Sequence, residues 1–292
     1  MLENLLIVFY GQGGVDMGRV ETRLYKRRQA RNKRILQLFV LVCLAAVVAL
    51  ILGRINGDLM TIQGLQNASE DNDLPGNAVE SREVSMIAET WYAIQTGVFS
   101  TEEAARQKAE DYTARGAPGT VVSEGGKWRV FIACYGTEAD AMAVKRRLEE
   151  KQRVDTYLYT WQCPEVRLRL TGKISQIDAV EAGLTQLTAT TLALRDAAID
   201  LDAGELTTEE ASAVAQAMKD AITLWERTVS ERFGRNKPSL VEEMLQLMNG
   251  WKQRFETLMA QESPTQLSAD LKGQAMEMYA EMIAWRNRLL QE

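Results

Sequence analysis

Residues 91–116 read WYAIQTGVFSTEEAARQKAEDYTARG, and the fold turns on how they are divided. TWYAIQTGVF alternates apolar and polar residues and is rich in β-formers, which predicts a strand through Phe99. Ser100-Thr-Glu-Glu103 has the form of a capping box. It opens an Ala-rich helix whose buried stripe is Ala105, Ala109 and Tyr112, with Gly116 as its stop. A strand that passes this abruptly into a helix at Gln95-Thr-Gly97 is either an ordinary corner or one wall of a binding face that carries Gln95.

Downstream, GTVVSE, a Gly125-Gly126 turn and KWRVFIACY predict a β-hairpin. Thr137-Glu-Ala-Asp140 caps a second helix with Ala141, Val144 and Leu148 on one face, and VDTYLYTW closes the unit as a fourth strand. The order is βαββαβ: an antiparallel sheet with two helices on one side. Strand alternation then assigns the faces. Ile94, Val130, Ile132 and Leu158 point to the helices, and so does Trp128 by parity, although it sits at a strand start. Ala93, Gln95, Lys127, Arg129, Phe131, Tyr157, Tyr159 and Trp161 point the other way. Aromatic planes suit the apolar faces of sugar rings, and Gln and Arg can hydrogen-bond hydroxyl and acetamido groups.

This region, residues 88 to 163, resembles the sporulation-related repeat, or SPOR, domain. The resemblance rests on QTGVFS at the end of the first strand and on Ala105 and Gly116 across the first helix. It continues through WRVFI in the third strand and Ala141 and Leu148 in the second helix. Domains of this family bind septal peptidoglycan, specifically glycan strands stripped of stem peptides by amidases, and so localise proteins to division or sporulation septa. Carried over, the implied contacts are Gln95 and nearby Val98, Lys127, Arg129 and Tyr157. Two positions depart from the family: Ala133-Cys134 stands where Gly-Pro is common, and Gln152 where a Gly follows the second helix. An RNP-type sheet, which stacks bases on aromatics, and a ferredoxin-like domain with an incidental Gln95 are the competing readings. An extracytoplasmic location argues against the first.

The chain has 292 residues, room for about two domains, and a mild net charge of −6 that gives no nucleic-acid footprint. It has no histidine, which removes Ser-His-Asp and Cys-His catalysis and HExxH zinc sites. The three Cys (43, 134, 163) fall short of a four-ligand zinc site. No pair of carboxylates is singled out for glycosidase chemistry. The reading is therefore non-enzymatic, with no cofactor and no metal. Cys134 and Cys163 end strands that flank the first strand, about 9–10 Å apart, where a disulfide is conceivable.

ILQLFVLVCLAAVVALILG (35–53) is uncharged and, at about 1.5 Å per residue, covers close to the ~30 Å hydrocarbon core. The preceding GRVETRLYKRRQARNKR is strongly basic and the far flank acidic. The expectation is a single retained span with residues 1–34 cytoplasmic and the remainder outside. The alternative is a cleaved signal peptide, whose apolar core is normally shorter and followed by a small-residue cleavage site. Gln12-Gly13-Gly14-Val15 can be encoded by a ribosome-binding-like sequence upstream of Met17. Met17 is therefore the expected natural start, and residues 1–16 are set aside. Residues 54–86 read as a flexible tether and 87–164 as the SPOR-like domain.

Residues 172–292 carry four apolar stripes at helical spacing. They are Ile177, Val180, Leu184, Leu187, Thr191, Leu194, Ala198 and Leu201; Val214, Met218, Ala221 and Trp225; Val241, Met244, Met248, Trp251, Phe255 and Leu258; and Leu271, Ala275, Met278, Met282, Trp285 and Leu289. Helix starts are expected at Thr207…Glu210, Ser239…Glu242 and Ser263-Pro264. With short loops these stripes predict an antiparallel four-helix bundle whose Met and Trp residues are core. The fold class is α+β: a transmembrane helix, a βαββαβ domain and the bundle. The expected partners are peptidoglycan glycan strands, the membrane, and a protein that binds the bundle, but no nucleic acid. The competing functional class is a membrane-anchored scaffold that acts through the bundle.

Overall fold

The computed structural model describes residues 78–291. The basic segment, the expected membrane span 35–53 and most of the expected tether lie outside them. Among the described residues no helix is long and apolar enough to cross a membrane.

The chain begins with β1 (Val79–Met86) and continues through β2 (Glu89–Phe99), α1 (Glu102–Thr113), β3 (Thr120–Glu124), β4 (Lys127–Tyr135) and α2 (Glu138–Arg147). After a π-turn come β5 (Tyr157–Cys163) and β6 (Val166–Lys173), then α3 (Ile174–Asp202), α4 (Thr208–Phe233), α5 (Ser239–Met259) and α6 (Pro264–Leu289). β3-β4-β2-β5 form a four-stranded antiparallel sheet. Ile94, Val130 and Ile132 pack with Ala105, Ala109 and Tyr112 of α1, as strand alternation requires. Helix α1 is capped by Thr101 rather than Ser100: the Thr101 hydroxyl accepts from the Ala104 N–H at 3.3 Å.

β1 and β6 were not foreseen, and β1 falls in the stretch read as tether. They pair antiparallel along their whole length. Met86 faces Val166 and Glu89 faces Cys163, so the ribbon and the β2–β5 ladder are in phase on either side of one interruption. Pro164, which has no N–H, lies in that interruption. Val84, Met86 and Val166 are buried. Arg82 ties the ribbon to α3 through Asp178 and Glu181, at 2.7 and 3.0 Å.

Helices α3 to α6 form the bundle: α3 packs on α4 and α6, and α5 on α4 and α6. The α4 stripe is Ala211, Ala215, Met218, Ile222, Trp225 and Val229, with the expected Val214 and Ala221 only half-buried. Helix α5 starts after Pro238 with no side-chain cap, whereas Thr207 and Ser263 cap α4 and α6.

Helix α6 is buried on two sides. One stripe (Leu271, Ala275, Met278, Met282, Trp285) belongs to the bundle core. The other crosses the sheet: Gly273 lies by Pro118 and Thr120, Tyr279 by Trp91 and Trp161, and Arg286 at the β1–β2 and β5–β6 corners. Sheet and bundle share one apolar core that includes Trp91, Ala93, Phe131, Cys134, Trp161 and Tyr279.

Candidate functional site

Every residue assigned by parity to the far side of the sheet does lie on one face, but that face is divided. Phe131 is 0% and Trp161 4% exposed. Both were expected to meet ligand, and both are instead covered by α6. Their rings meet at 4.5 Å, and Trp161 continues the contact to Tyr279 at 6.2 Å. The physical reason is apolar area: an aromatic sheet face left in water is costly, and α6 supplies a second apolar stripe to bury it.

What α6 leaves uncovered is the end of the sheet nearest the β3–β4 turn. Tyr157 is 63% and Val98 45% exposed. Lys127 and Glu124 are exposed, Arg129 and Tyr159 half-buried. A bulge in β2 organises this end. Ile94 pairs with Ala133, Gln95 with Phe131 and Tyr157, Gly97 with Val130 and Val98 with Arg129, so the register skips Ile132 in β4 and then Thr96 in β2. Gln95 and Val98, three residues apart, therefore share a face. Gly97 is on the opposite face, where a Cβ would stand 2.6 Å from the Phe99 ring. The glycine makes room for that ring, and is not needed to turn the chain.

The polar groups of the open end form one network. Arg129 donates from Nη1 to the Gln95 side-chain oxygen at 3.0 Å and from Nε to Glu124 at 2.9 Å. Its guanidinium lies 4.7 Å from the centre of the Tyr159 ring, a cation–π contact. The Tyr159 hydroxyl donates to the same Glu124 oxygen that Arg129 holds. Burial first, and Glu124 second, push the Tyr159 phenol up to about 12. Gln95 is itself only 6% exposed, so it positions Arg129 rather than presenting an amide to solvent.

The departures from the family pattern have local explanations. Cys134 is buried against the bundle, and burial pushes its thiol up to about 12. Cys163 is likewise buried, and the two cysteines are free thiols, not a disulfide. After α2 the left-handed position is taken by Arg153 (φ 54°) instead of a glycine at 152. Parity could have found one residue that sequence reasoning left out. Trp91 faces Trp161 across β2–β5 and is buried beneath Tyr279. Among the described residues no group of carboxylates and thiols could hold a metal ion.

Residues 88–160 match the family model of the SPOR domain. Neither a curated protein nor a solved structure matches the chain. Residues 88–160 are thus a SPOR domain, a type of module that binds peptidoglycan and is not catalytic. The fold around it is α+β, with a sheet region over 79–173 followed by helices.

Proposed function

We propose that this is a non-catalytic peptidoglycan-binding protein that takes denuded glycan strands at the open end of its SPOR sheet. In this reading residues 35–53 anchor it in the cytoplasmic membrane, the SPOR domain and bundle lie outside, and glycan binding localises it to division or sporulation septa. One observation carries the proposal: Val98, Arg129, Tyr157 and Tyr159 converge on the part of the sheet face that α6 does not cover. Tyr157 offers a ring face to a sugar, Arg129 and Lys127 offer donors, and Gln95 and Tyr159 hold Arg129 in place.

The covered part of the face is not a gated extension of the site. Lifting α6 would expose Trp91, Phe131, Trp161 and Tyr279. At roughly 1.5–3 kcal/mol for each large apolar side chain, the cost is about 6–12 kcal/mol. That is comparable to the whole stability of a domain, about 5–15 kcal/mol. The proposed binding site is therefore short.

The test is cosedimentation of the full chain with intact and amidase-stripped sacculi, together with septal imaging of a fluorescent fusion. Preferential retention on stripped sacculi that drops in Arg129→Ala and Tyr157→Ala supports the proposal. Equal retention of all three proteins refutes it. The burial of Phe131 and Trp161 favours a second reading, a scaffold in which the sheet mainly supports the bundle. That reading expects septal localisation to survive Tyr157→Ala.

A further inference from the structure

We infer that the open end is a carboxylate-recognition site, and that Glu124 occupies it as an internal stand-in for a carboxylate of the glycan. This rests on the proposed glycan binding at that end and adds what is recognised there.

Arg129 is fixed on three sides before any ligand arrives. Gln95 accepts from Nη1 at 3.0 Å, the Tyr159 ring lies 4.7 Å from the guanidinium carbon, and Nε points at Glu124 at 2.9 Å. The Tyr159 hydroxyl converges on the Glu124 oxygen that Arg129 Nε also binds. A guanidinium N–H and a phenol O–H aimed at one oxygen make a cradle for an anionic acceptor. Lys127, paired opposite Glu124 across the turn, adds a second positive charge.

The group now in the cradle is an exposed side chain at the end of β3, next to an open glycine turn. Glu124 is exposed and precedes Gly125 and Gly126, both at positive φ (56° and 70°), with no atom within 4 Å of where either would place a Cβ. Rotating the Glu124 side chain outward breaks a solvent-screened ion pair with Arg129 and the hydrogen bond from Tyr159, and an incoming carboxylate remakes both. Such pairs change an equilibrium by about fivefold at most. A ligand carboxylate that adds sugar stacking on Tyr157 outcompetes it.

The chemistry of the ligand supplies the discrimination. An amidase that removes a stem peptide hydrolyses an amide and leaves a free carboxylate on the sugar substituent. A strand that keeps its peptides presents an amide at that atom. The cradle accepts the anion and gains nothing comparable from the amide. On this account the preference for stripped strands is a charge preference, set by Arg129 and Tyr159.

The test measures retention of the full chain on amidase-stripped sacculi, before and after conversion of their carboxylates to methylamides. Glu124→Gln empties the cradle of its internal anion and is expected to tighten binding about threefold. Glu103→Gln, an equal charge change at an exposed position on α1, is expected to leave binding unchanged. Arg129→Gln is expected to weaken binding about tenfold, and amidation of the sacculi to abolish the Glu124→Gln gain. If binding persists but is indifferent to Glu124→Gln and to amidation, the carboxylate inference is overturned while glycan binding stands. A gain in Glu103→Gln equal to that in Glu124→Gln also overturns it, since bulk charge would then explain both. Absence of binding to every preparation overturns both the inference and the reading on which it rests.

Discussion

The indole of Trp91 lies flat on the phenol of Tyr279, with ring centroids 3.9 Å apart and planes 4° from parallel. One ring comes from the first strand of the SPOR sheet and the other from the last helix of the chain. Their contact means that the sheet and the bundle do not bury their apolar surfaces separately. Most of the aromatic face of the sheet is core, and its end at the β3–β4 turn remains exposed.

The excised segment 87–165 is therefore expected not to fold as a soluble monomer. It loses the cover on Trp91, Phe131 and Trp161, three large side chains each worth roughly 1.5–3 kcal/mol when buried. Size-exclusion chromatography and amide NMR dispersion check this. A monomeric fragment with native dispersion would show that the sheet does not need α6.

Arg286 is expected to be the most costly single polar residue to remove. It is 1% exposed and donates to the carbonyls of Ile87 and Pro164 at 2.8 and 3.2 Å, where the β-ladder is interrupted. It also reaches Thr188 at 3.0 Å and Glu89 at 3.4 Å. Arg286→Ala strands these acceptors in the core and should cost about 3–5 kcal/mol in urea unfolding. A loss under about 1 kcal/mol would mean that water replaces the guanidinium.

Asp200 gives a pH dependence of definite sign. Burial, then Glu205 and Asp196, push its carboxyl up to about 6 from 3.8. The folded state thus holds the proton more tightly than the unfolded one. The resulting stabilisation is full below about pH 4 and is lost as pH rises through about 6. Asp200→Asn should remove this dependence and stabilise the protein at pH 7 by about 1–2 kcal/mol. Thermal melts across pH 4–7 check it, and an unchanged slope would contradict it.

Cys134 and Cys163 are buried free thiols, each pushed up to about 12 by burial. Neither should react with a thiol reagent at pH 8 until the protein unfolds. Mass spectrometry of labelled peptides reads this directly, and native labelling of either peptide would show that the junction opens.

The central part of the fold was legible because its signals are local. Alternation in TWYAIQTGVF, the Thr137 cap and the Gly125-Gly126 turn each act within a few residues. Parity also put Gln95, Arg129, Phe131 and Trp161 on one face correctly. That the face is half covered was not legible from the sheet, since covering depends on a helix more than a hundred residues away. The signal was present in α6, where Met276, Tyr279 and Ile283 form apolar positions beyond those a bundle needs. VRLRLTGK alternates along its length, so its signal was present, whereas VESREVSM places apolar residues in alternation only at Val84 and Met86 and is specified chiefly by its pairing with β6. The slip at Thr96 that brings Val98 beside Gln95 is likewise a property of the pair β2–β4, not of either strand alone.

Hydrogen exchange of the full chain, with and without amidase-stripped glycan oligosaccharides, tests the central claim most directly. The expected result is ligand-induced protection confined to Gly97–Phe99, Glu124–Arg129 and Tyr157–Tyr159, with no change in α6. Deprotection of α6 together with the segments around Trp91 and Trp161, or no protection at the open end, would contradict it.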